Sequence, residues 1–432
     1  MTDNEKDIRN KEAAEKIAEL VRTQANGRSY MVGGCVRDHI LGLSFKDVDI
    51  EVFGVEPDRL KKILESEFKV DLVGDSFGVL HLKDYDIDVS IPRRERKIGD
   101  GHKSFEIYSD PYMTLKEAAS RRDFTINAIY LSLDDGKMYD PYSGENDIRM
   151  GSLNVVSERF SEDPLRVLRG MQFIGRYDLC PTHNTIQACK ELSPKDLTVE
   201  RIYDEFKKLF IKGHHISRAI DFLDRVDWLK YFPGLEKSWA NWDSRSRKNV
   251  FERFGCLKYG PNLSLLSDED LLALGFSLLL YRNSEKNIFI GKYIHDKTVT
   301  EKMKIIDDGF SDIFMMLENK LDKMMKDDSL VLNAAYKHKN LFLIASFIYC
   351  LYGIDCKPLY NQMNKLDVVT TPPEPVFKGR DLIARGYKPN VKMGLILRTM
   401  MQKQLDCEFR THEEAEKYFD KNEELILAIS HL

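Results

Sequence analysis

The hydrophobic pattern changes character near residue 150, and this change limits the chain to one broad architecture. Before that point, short apolar runs such as 30–32, 48–53 and 87–91 have the length of single strands and alternate with amphipathic segments. After it, apolar residues recur at helical spacing and strand-like alternation largely disappears. The sequence therefore predicts an α/β N-terminal head with a mixed β-sheet, followed by an all-α remainder.

Proline and glycine residues divide the helical part into shorter segments. Breaks are expected at Pro181, Pro194, Gly213, 233–234, Pro261 and 371–375. A chain of 432 residues is long enough for two to four domains. We predict a head at 1–150, a helical neck at 151–213, a helical body at 214–370 and a helical tail at 371–432.

Composition narrows the cellular setting without excluding nucleic-acid binding. The formal charge of −5 is a total, and the acidic surplus lies in 1–150 while 151–250 is mildly basic. Seven scattered cysteines without C-x-x-C spacing predict reduced thiols. The N-terminus has no apolar signal core, and the longest apolar runs, 271–281 and 341–354, are too short to span a bilayer. We expect a cytoplasmic protein with no membrane contact and no obligate protein partner.

A pair of carboxylates is the first candidate site. Asp47 and Asp49 lie in a strand pattern, so both side chains project from one face. Asp88, on another apolar strand, is a candidate third carboxylate, and Glu51 continues the alternation. Carboxylates on a strand surface are a usual way to hold Mg²⁺ beside substrate phosphates. A solvated strand face gives the same short pattern, so this pair alone does not establish a metal site.

Three further segments have the chemistry of nucleotide binding. The glycines of 33–38 permit close approach of a phosphate to a helix start, with Arg37 on its first turn. Segment 121–128 enters a predicted strand and offers two arginines for phosphates and one carboxylate for a ribose hydroxyl. In 161–169, Pro164 suits a first helical position, which predicts Asp163 as N-cap. Asp163, Arg166 and Arg169 would share one helix face, although a capped, solvated helix start has the same pattern.

Together these segments resemble the tRNA nucleotidyltransferase/poly(A) polymerase family, in particular its bacterial-type class, which includes CCA-adding enzymes. The resemblance rests on GGCVRD at 33–38, KDVDIE at 46–51, RRDFTINA at 121–128, DPYSG at 140–144 and EDPLRVLR at 162–169, in that order. It covers about 25–210, ending with VERI at 199–202, and continues weakly at 378–397. Gln172 departs from relatives that carry a third arginine there, and Glu51 adds an acidic residue that many relatives lack.

The resemblance implies an enzyme that adds CCA to tRNA 3′ ends from CTP and ATP. Asp47 and Asp49 would bind two Mg²⁺ ions, with Asp88 as a further catalytic carboxylate. The head would be catalytic, the neck would template the nucleotide, and the tail would bind tRNA. The positions that match nucleotide-binding residues of the family are Gly33, Gly34, Arg37, Arg122, Asp123, Asn127, Asp163, Arg166 and Arg169.

Within that set, Asp163 and Arg166 match the pair that acts as a protein template for the incoming base. Cytosine and adenine each present an amino donor beside a ring-nitrogen acceptor, whereas uracil and guanine reverse this order. An acceptor on Asp163 and donors on Arg166 therefore fit C and A, and leave buried groups unpaired with U or G.

Several alternatives stay open. The long basic segment 93–116 matches a flexible loop that is associated with the switch from C to A addition, which favours full CCA addition over CC-only addition. An A-adding enzyme or a poly(A) polymerase of the same family is not excluded. A different class, an HD-type phosphohydrolase in the helical part, would need 295–296 to converge with 214–215 and Asp307. A non-catalytic RNA-binding protein is disfavoured because both Asp47 and Asp49 are present.

The tail carries a stripe of basic residues that predicts contact with RNA phosphates, although charged runs are also common on solvated helices. Its candidate RNA-binding residues are Lys378, Arg380, Arg385, Lys388 and Lys392. The tryptophans at 228, 239 and 242 are expected in helix packing rather than in base stacking.

Overall fold

The computed structural model describes residues 3–44, 47–73, 79–97, 105–258, 265–324 and 327–429. The chain divides into two compact units. The first contains Met1–Phe206 and Arg218–Tyr231, and the second contains Lys207–Ser217 and Phe232–Leu432. The domain boundaries at 150, 213 and 370 stay predictions.

The first unit is built on a mixed β-sheet, as predicted. Its strands are β1 (Arg28–Val32), β2 (Val48–Phe53), β3 (Val70–Val73), β4 (Val79–Leu82), β5 (Ile87–Ser90), β6 (Arg93–Lys97), β7 (Phe105–Ser109), β8 (Tyr130–Ser132), β9 (Met138–Tyr139), β10 (Ser152–Leu153) and β11 (Cys180–Pro181). A seven-stranded sheet has the order β3-β4-β5-β2-β1-β8-β9. Its central pair, β2 and β5, is parallel, and the flanking pairs are antiparallel.

The helices that lie wholly or partly in the first unit are α1 (Asp3–Ala25), α2 (Gly34–Ile40), α3 (Pro57–Glu65), α4 (Leu115–Ala119), α5 (Gly144–Met150), α6 (Leu165–Tyr177), α7 (His183–Lys190), α8 (Val199–Lys212) and α9 (Ile216–Arg225). Ile17 and Val21 of α1 share a buried cluster with Ile50 and Val52 of β2. Because side chains alternate along a strand, this packing directs Asp49 to the opposite face of the sheet. Because α1 covers one face of the sheet, the carboxylates of β2 lie on the other face.

Three parts of the chain differ from the sequence prediction. Residues 125–127 form a 3₁₀ turn, and β8, the strand that segment 121–128 is expected to enter, begins only at Tyr130. The turn forms because the Thr125 amide donates to the Asn154 carbonyl, a partner that lies outside the sheet. The strands β10 and β11 pair in parallel within a stretch expected to be all-helical. Segment 93–109, expected as part of a loop, contains the antiparallel pair β6 and β7, while 98–104 lies outside the described residues.

Gly144 fixes the 3₁₀ turn from the neighbouring α5, and its substitution gives a stability prediction. A Cβ at this position would overlap the Thr125 carbonyl oxygen, which is backbone and cannot rotate away. Gly144→Ala is expected to lower the free energy of unfolding by about 3 kcal/mol, measured by urea denaturation. Gly291→Ala is the control, because a Cβ there would meet no described neighbour within 4 Å. Equal stability of the two variants would contradict this packing.

The described residues of the second unit contain helices and connecting segments but no strand, which confirms the predicted all-α class. Its further helices are α10 (Leu235–Ala240), α11 (Ser244–Leu257), α12 (Asp268–Leu279), α13 (Lys286–Tyr293), α14 (Lys297–Met324), α15 (Asp328–His338), α16 (Leu341–Tyr352), α17 (Lys357–Lys365), α18 (Gly379–Ala384), α19 (Val391–Leu405) and α20 (His412–Ile429). The buried residues of α14, α15 and α16 form one cluster, and those of α18, α19 and α20 form another. The break predicted at Pro261 lies outside the described residues. None of the described helices has both the length and the apolar character needed to cross a membrane.

Candidate active site

A polar recess of about 440 Å³ opens on the carboxylate-bearing face of the sheet. Strands β2 and β5 contribute to its floor, and the segments before α6 contribute to its wall. Its charged lining residues are Asp49, Glu51, Arg93, Arg121, Arg122, Glu162, Asp163 and Arg166. The recess thus collects residues from three segments that the sequence singled out separately, 46–51, 121–128 and 162–169.

The carboxylates lie at the strand ends as the alternation predicts. Asp47 precedes β2 and Asp49 lies within it, and both are exposed. Asp49 is the register partner of Asp88 on the parallel strand β5, and Asp88 forms a hydrogen bond of 2.7 Å with Nδ1 of His81. The recess walls desolvate Asp49 and raise its pKa; Arg122 opposes this rise, while the negative charges of the neighbouring carboxylates add to it. A cation placed here would relieve this repulsion.

The donor set of this face suits a hard divalent cation. Mg²⁺ is commonly held by one or two carboxylates together with substrate phosphates, so Asp47 and Asp49 fit it chemically. Within the described ranges, no group of three His, Cys, Asp or Glu side chains converges as a complete metal cluster. The role of Asp88 as a further catalytic carboxylate therefore stays a prediction.

The glycine pair before α2 provides space next to the carboxylates. Gly33 has a φ of 75°, in the left-handed region that favours glycine, and α2 begins at Gly34. A Cβ on Gly33 would lie 3.3 Å from Nη1 of Arg122 and 3.5 Å from Oδ2 of Asp49. Gly33 therefore lets the backbone lie close to both charged groups, which leaves room for a phosphate beside Arg122.

Arg37 points into the protein, where it joins an internal hydrogen-bond network. Its guanidinium donates to Oδ1 of Asn127 at 2.7 Å, to Oδ1 of Asp38 at 2.8 Å and to the Tyr177 hydroxyl at 2.7 Å. The side chain is 5% exposed, so the network accounts for most of its surroundings. Direct contact of Arg37 or Asn127 with a nucleotide stays a prediction, and in this structure both residues connect α2 to α6.

Asp123 and Arg169 extend the same network at the other end of α6. Nε of Arg169 donates to Oδ2 of Asp123 at 2.6 Å, and Nδ2 of Asn127 donates to Oδ1 at 3.0 Å. Burial alone would raise the pKa of Asp123, but Arg169 and the hydrogen bonds outweigh it and lower the pKa below its ordinary value. The pair therefore holds α6 against segment 121–128 as a charged, buried connection.

Removing the Asp123 charge should leave Arg169, whose side chain is 35% exposed, without its counter-ion. Because solvent screens part of the Arg169 charge, Asp123→Asn is expected to lower the free energy of unfolding at pH 7 by about 2 kcal/mol. Because the folded pKa of Asp123 is lowered, its stabilisation is present above about pH 3.9, the unfolded value, and is lost as pH falls through the folded value. Urea denaturation from pH 7 to pH 3 should show wild type and variant converging in acid. A constant difference would contradict the assignment, and the exposed Asp58→Asn is the control.

Asp163 and Arg166 lie at the start of α6, at the wall of the recess. The helix begins one residue later than predicted, with Pro164 as N-cap, although the Asp163 carboxylate still accepts from the Leu165 amide at 3.0 Å. Its second oxygen accepts from Nη2 of Arg201 at 2.7 Å. Arg166 donates to the backbone carbonyls of Arg159 at 2.5 Å and of Arg121 at 2.7 Å, so both side chains are held in fixed positions.

Comparison with known proteins bears on this arrangement. Residues 29–154 match the family model of the poly A polymerase head domain. This part of the chain is therefore similar to that head domain. The matched range contains β1, β2, β5 and the 3₁₀ turn, and hence most of the recess.

Curated relatives match less than half of the chain. A multifunctional CCA protein of Acinetobacter baumannii strain SDF is 38% identical over 192 residues, which is 43% of this chain and 45% of the relative. A protein of the same name from Chromobacterium violaceum is 38% identical over 183 residues, 41% of this chain and 44% of the relative. The match thus spans less than half the length of these relatives.

Solved structures share the fold over nearly the whole chain. The CCA-adding enzyme of Bacillus stearothermophilus in complex with CTP has a TM-score of 0.71 and 23% identity, covering 96% of this chain and 98% of that one. The Thermotoga maritima CCA-adding enzyme complexed with tRNA has a TM-score of 0.64 and 21% identity, covering 95% of each chain. At these identities the similarity establishes the fold.

The structure of the first unit also shows contacts of residues to which the sequence assigned no role. Glu51 lies 3.7 Å from Nη2 of Arg122, so the additional acidic residue has a cationic partner. Asp38 and Arg201 lie inside segments 33–38 and 199–202, which carry the family resemblance. Their positions in these segments could have marked them as site residues. Tyr177 lies two turns after Arg169 on α6, and helical spacing would have placed it on the same face.

The helical remainder gives less support to the other candidates. Arg385 pairs with Glu416 at 3.0 Å and with Asp420 at 3.1 Å, and its guanidinium lies 5.5 Å from the centre of the Phe419 ring. Lys378 lies 3.8 Å from Glu374, and Arg380 lies 3.8 Å from Asp381. These contacts are internal to the tail, and RNA binding by its basic stripe stays a prediction.

The residues considered for a phosphohydrolase metal site form hydrogen bonds elsewhere or are exposed. Asp296 accepts from the Val299 amide at 3.1 Å at the start of α14, and His295 is exposed. Asp307 accepts from Lys286 at 2.7 Å. In the described part of the second unit, these side chains do not gather into a metal-binding group with the histidines at 214–215.

Proposed function

We propose that the protein is a tRNA nucleotidyltransferase that adds CCA to tRNA 3′ ends from CTP and ATP. The observation that carries this proposal is the 440 Å³ recess, which collects a metal-type carboxylate, the Arg122 guanidinium and the Asp163–Arg166 pair from distant segments. The relatives named multifunctional CCA protein and the solved complexes of this fold with CTP and with tRNA support it.

Asp47 and Asp49 would hold two Mg²⁺ ions on the open face of β2. When bound, these ions activate the RNA 3′-hydroxyl and stabilise the charge on the α-phosphate and the leaving pyrophosphate. The amides at 33–34 and the Arg122 guanidinium orient the triphosphate, so that its leaving group faces positive potential. Glu51 keeps Arg122 in place when no nucleotide is bound, since their charged groups are 3.7 Å apart.

Asp163 and Arg166 would select the base. The Leu165 amide and Arg201 each donate to Asp163, so the carboxylate is held in place and can accept from the amino group of C or A. Arg166 is anchored by two backbone carbonyls, and its remaining N–H groups would donate to the ring nitrogen of the base. A base with the reverse order of donor and acceptor would leave both residues unpaired.

The remaining segments would hold the tRNA. We propose that the neck at 151–213 templates the nucleotide and that the body at 214–370 and tail at 371–432 hold the acceptor arm by shape and phosphate contacts. A tRNA-processing role and the free thiols of all seven cysteines fit a reducing, cytoplasmic setting.

Pyrophosphate release tests the proposal. With Mg²⁺, CTP and ATP, the protein should release pyrophosphate only when a tRNA that ends before CCA is added, and should stop after three additions per tRNA. Continued release with ATP and any RNA would support a poly(A) polymerase instead. Failure to release pyrophosphate with any tRNA would overturn the proposal.

A further inference from the structure

A second recess, far from the carboxylates in sequence, lies wholly within the helical second unit. It has a volume of about 240 Å³ and forms where the α10–α11 connection meets the ends of α12 and α16. We call it the body recess, and define it by Trp242, Arg253, Tyr281, Arg282, Tyr352 and Asn249. Aromatic rings, guanidinium groups and an amide are therefore brought together by three separate helix ends.

Trp242 distinguishes this recess from ordinary helix packing. Trp228 and Trp239 are buried, at 0% and 3% exposure, as the sequence predicted for all three tryptophans. Trp242 is only half-buried and lines the body recess. It precedes Asp243, whose carboxylate accepts from the Ser246 amide at 2.9 Å and caps α11. The cap fixes the backbone at this turn, and the tryptophan is held at the rim rather than in the core.

Two tyrosines extend the aromatic surface. The rings of Trp242 and Tyr281 are 5.7 Å apart at an interplanar angle of 78°, an edge-to-face contact. The hydroxyls of Tyr281 and Tyr352 are 3.0 Å apart. These contacts fix the orientations of three aromatic side chains, so a planar ligand would meet an aromatic surface that is already ordered.

Positive charge lies beside these rings. Arg253 donates to the Cys350 and Leu351 carbonyls at 3.0 and 3.3 Å, which anchors it at the carboxyl end of α16. Arg282 is exposed, and its guanidinium lies 5.2 Å from the centre of the Tyr281 ring. Its φ of 61° lies in the left-handed region, an unfavourable conformation for arginine that is often retained at ligand sites. An adjoining cavity of about 320 Å³ shares Tyr281 and Arg282, so the cationic rim is open on both sides.

We propose that the body recess binds an unpaired nucleobase of an RNA. Its volume, about eight times that of a liquid water molecule, suits one base rather than a duplex. Stacking on Trp242 or Tyr352, hydrogen bonds from Asn249 and a phosphate contact from Arg282 are the interactions with which proteins hold single-stranded bases. Two arginines disfavour a cationic ligand. The choice of RNA as the ligand rests on the proposed function.

Tryptophan fluorescence of the full-length protein tests this site, because the chain has three tryptophans and two of them are buried. A tRNA that ends before CCA should quench part of the emission at the concentrations at which it binds in a mobility-shift assay. Trp242→Phe should remove that change while retaining binding. Trp242→Ala should weaken RNA binding about 10-fold, since stacking on an aromatic side chain is worth roughly 1–3 kcal/mol per base.

The control variant and the contradicting results are read from RNA affinity and fluorescence, which do not depend on catalysis. Tyr336→Ala, an exposed tyrosine on α15 outside the recess, should leave RNA affinity unchanged. Trp242→Ala should raise the KM for tRNA and leave kcat unchanged. If Trp242→Ala has the same RNA affinity and the same quenching as the wild type, RNA binding by the body recess is contradicted and the proposed function is unaffected. Adenosine monophosphate is tested in the same way. If it quenches the Trp242 emission as fully as tRNA does and also displaces tRNA, the recess binds free nucleotides and the RNA proposal is overturned.

Discussion

Asp49→Asn is expected to reduce nucleotide incorporation about 1000-fold without unfolding the protein, and Asp47→Asn should behave in the same way. Both carboxylates lie exposed at the open face of β2, so neither side chain contributes core packing. Each would lose a ligand to Mg²⁺, whose stabilisation of transition-state charge is worth several kcal/mol. The measurement is the initial rate of labelled CTP incorporation, with thermal unfolding followed in parallel.

A carboxylate on the same sheet outside the recess provides the matched control. Asp84 is exposed in the turn between β4 and β5, and Asp84→Asn should retain the wild-type rate. Substantial turnover in Asp49→Asn, or an equal loss in Asp84→Asn, would contradict the metal assignment. Unfolding of the Asp49 variant at the assay temperature would be seen in the thermal measurement and would separate instability from loss of chemistry.

Substitution of the base-selecting pair should change specificity more than stability. Asp163→Ala or Arg166→Ala is expected to reduce discrimination of C and A against U and G by about 100-fold, because polar sites reject bases that leave their groups unpaired. The measurement is kcat/KM for each of the four nucleotides. Loss of the Asp163 side chain also removes the hydrogen bonds from Leu165 and Arg201. The resulting loss of stability is measured in parallel by unfolding.

The two substitutions check each other. Arg166 is held by the Arg159 and Arg121 carbonyls and is independent of the Leu165 cap, so a shared loss of discrimination points to the base rather than to the helix start. Glu158→Ala, an exposed residue in the turn before α6, serves as the control. Unchanged discrimination in both variants would refute the template role.

The sequence is sufficient for those parts of the fold that depend on local pattern. Alternation identifies β2, and it places Asp47 and Asp49 on one face because the apolar partners Ile50 and Val52 have to be covered by α1. The strand after segment 121–128 begins later than expected because residues 125–127 form a turn that depends on the Asn154 carbonyl, which is distant in sequence. Propensity alone cannot reveal such a partner.

The same reason explains why the surroundings of Arg37 could not be predicted from the sequence. Its contact with a triphosphate stays a prediction, and its hydrogen-bond partners Asn127 and Tyr177 lie 90 and 140 residues further along the chain. Periodicity predicts which face of a helix a residue occupies, but it does not predict the direction of a long side chain. Trp242 differs from the other two tryptophans because the Asp243 cap, a local contact, holds it at a surface.

Single-nucleotide additions test the central claim most directly. Three tRNAs that lack CCA, CA and A are each incubated with Mg²⁺, the protein and one nucleoside triphosphate, and the 3′ ends are sequenced. The proposal predicts C addition to the first two substrates with CTP alone, A addition to the third with ATP alone, and no addition with UTP or GTP. Addition of A alone, addition of more than one A, or incorporation of UTP at a comparable rate would contradict CCA synthesis at this recess.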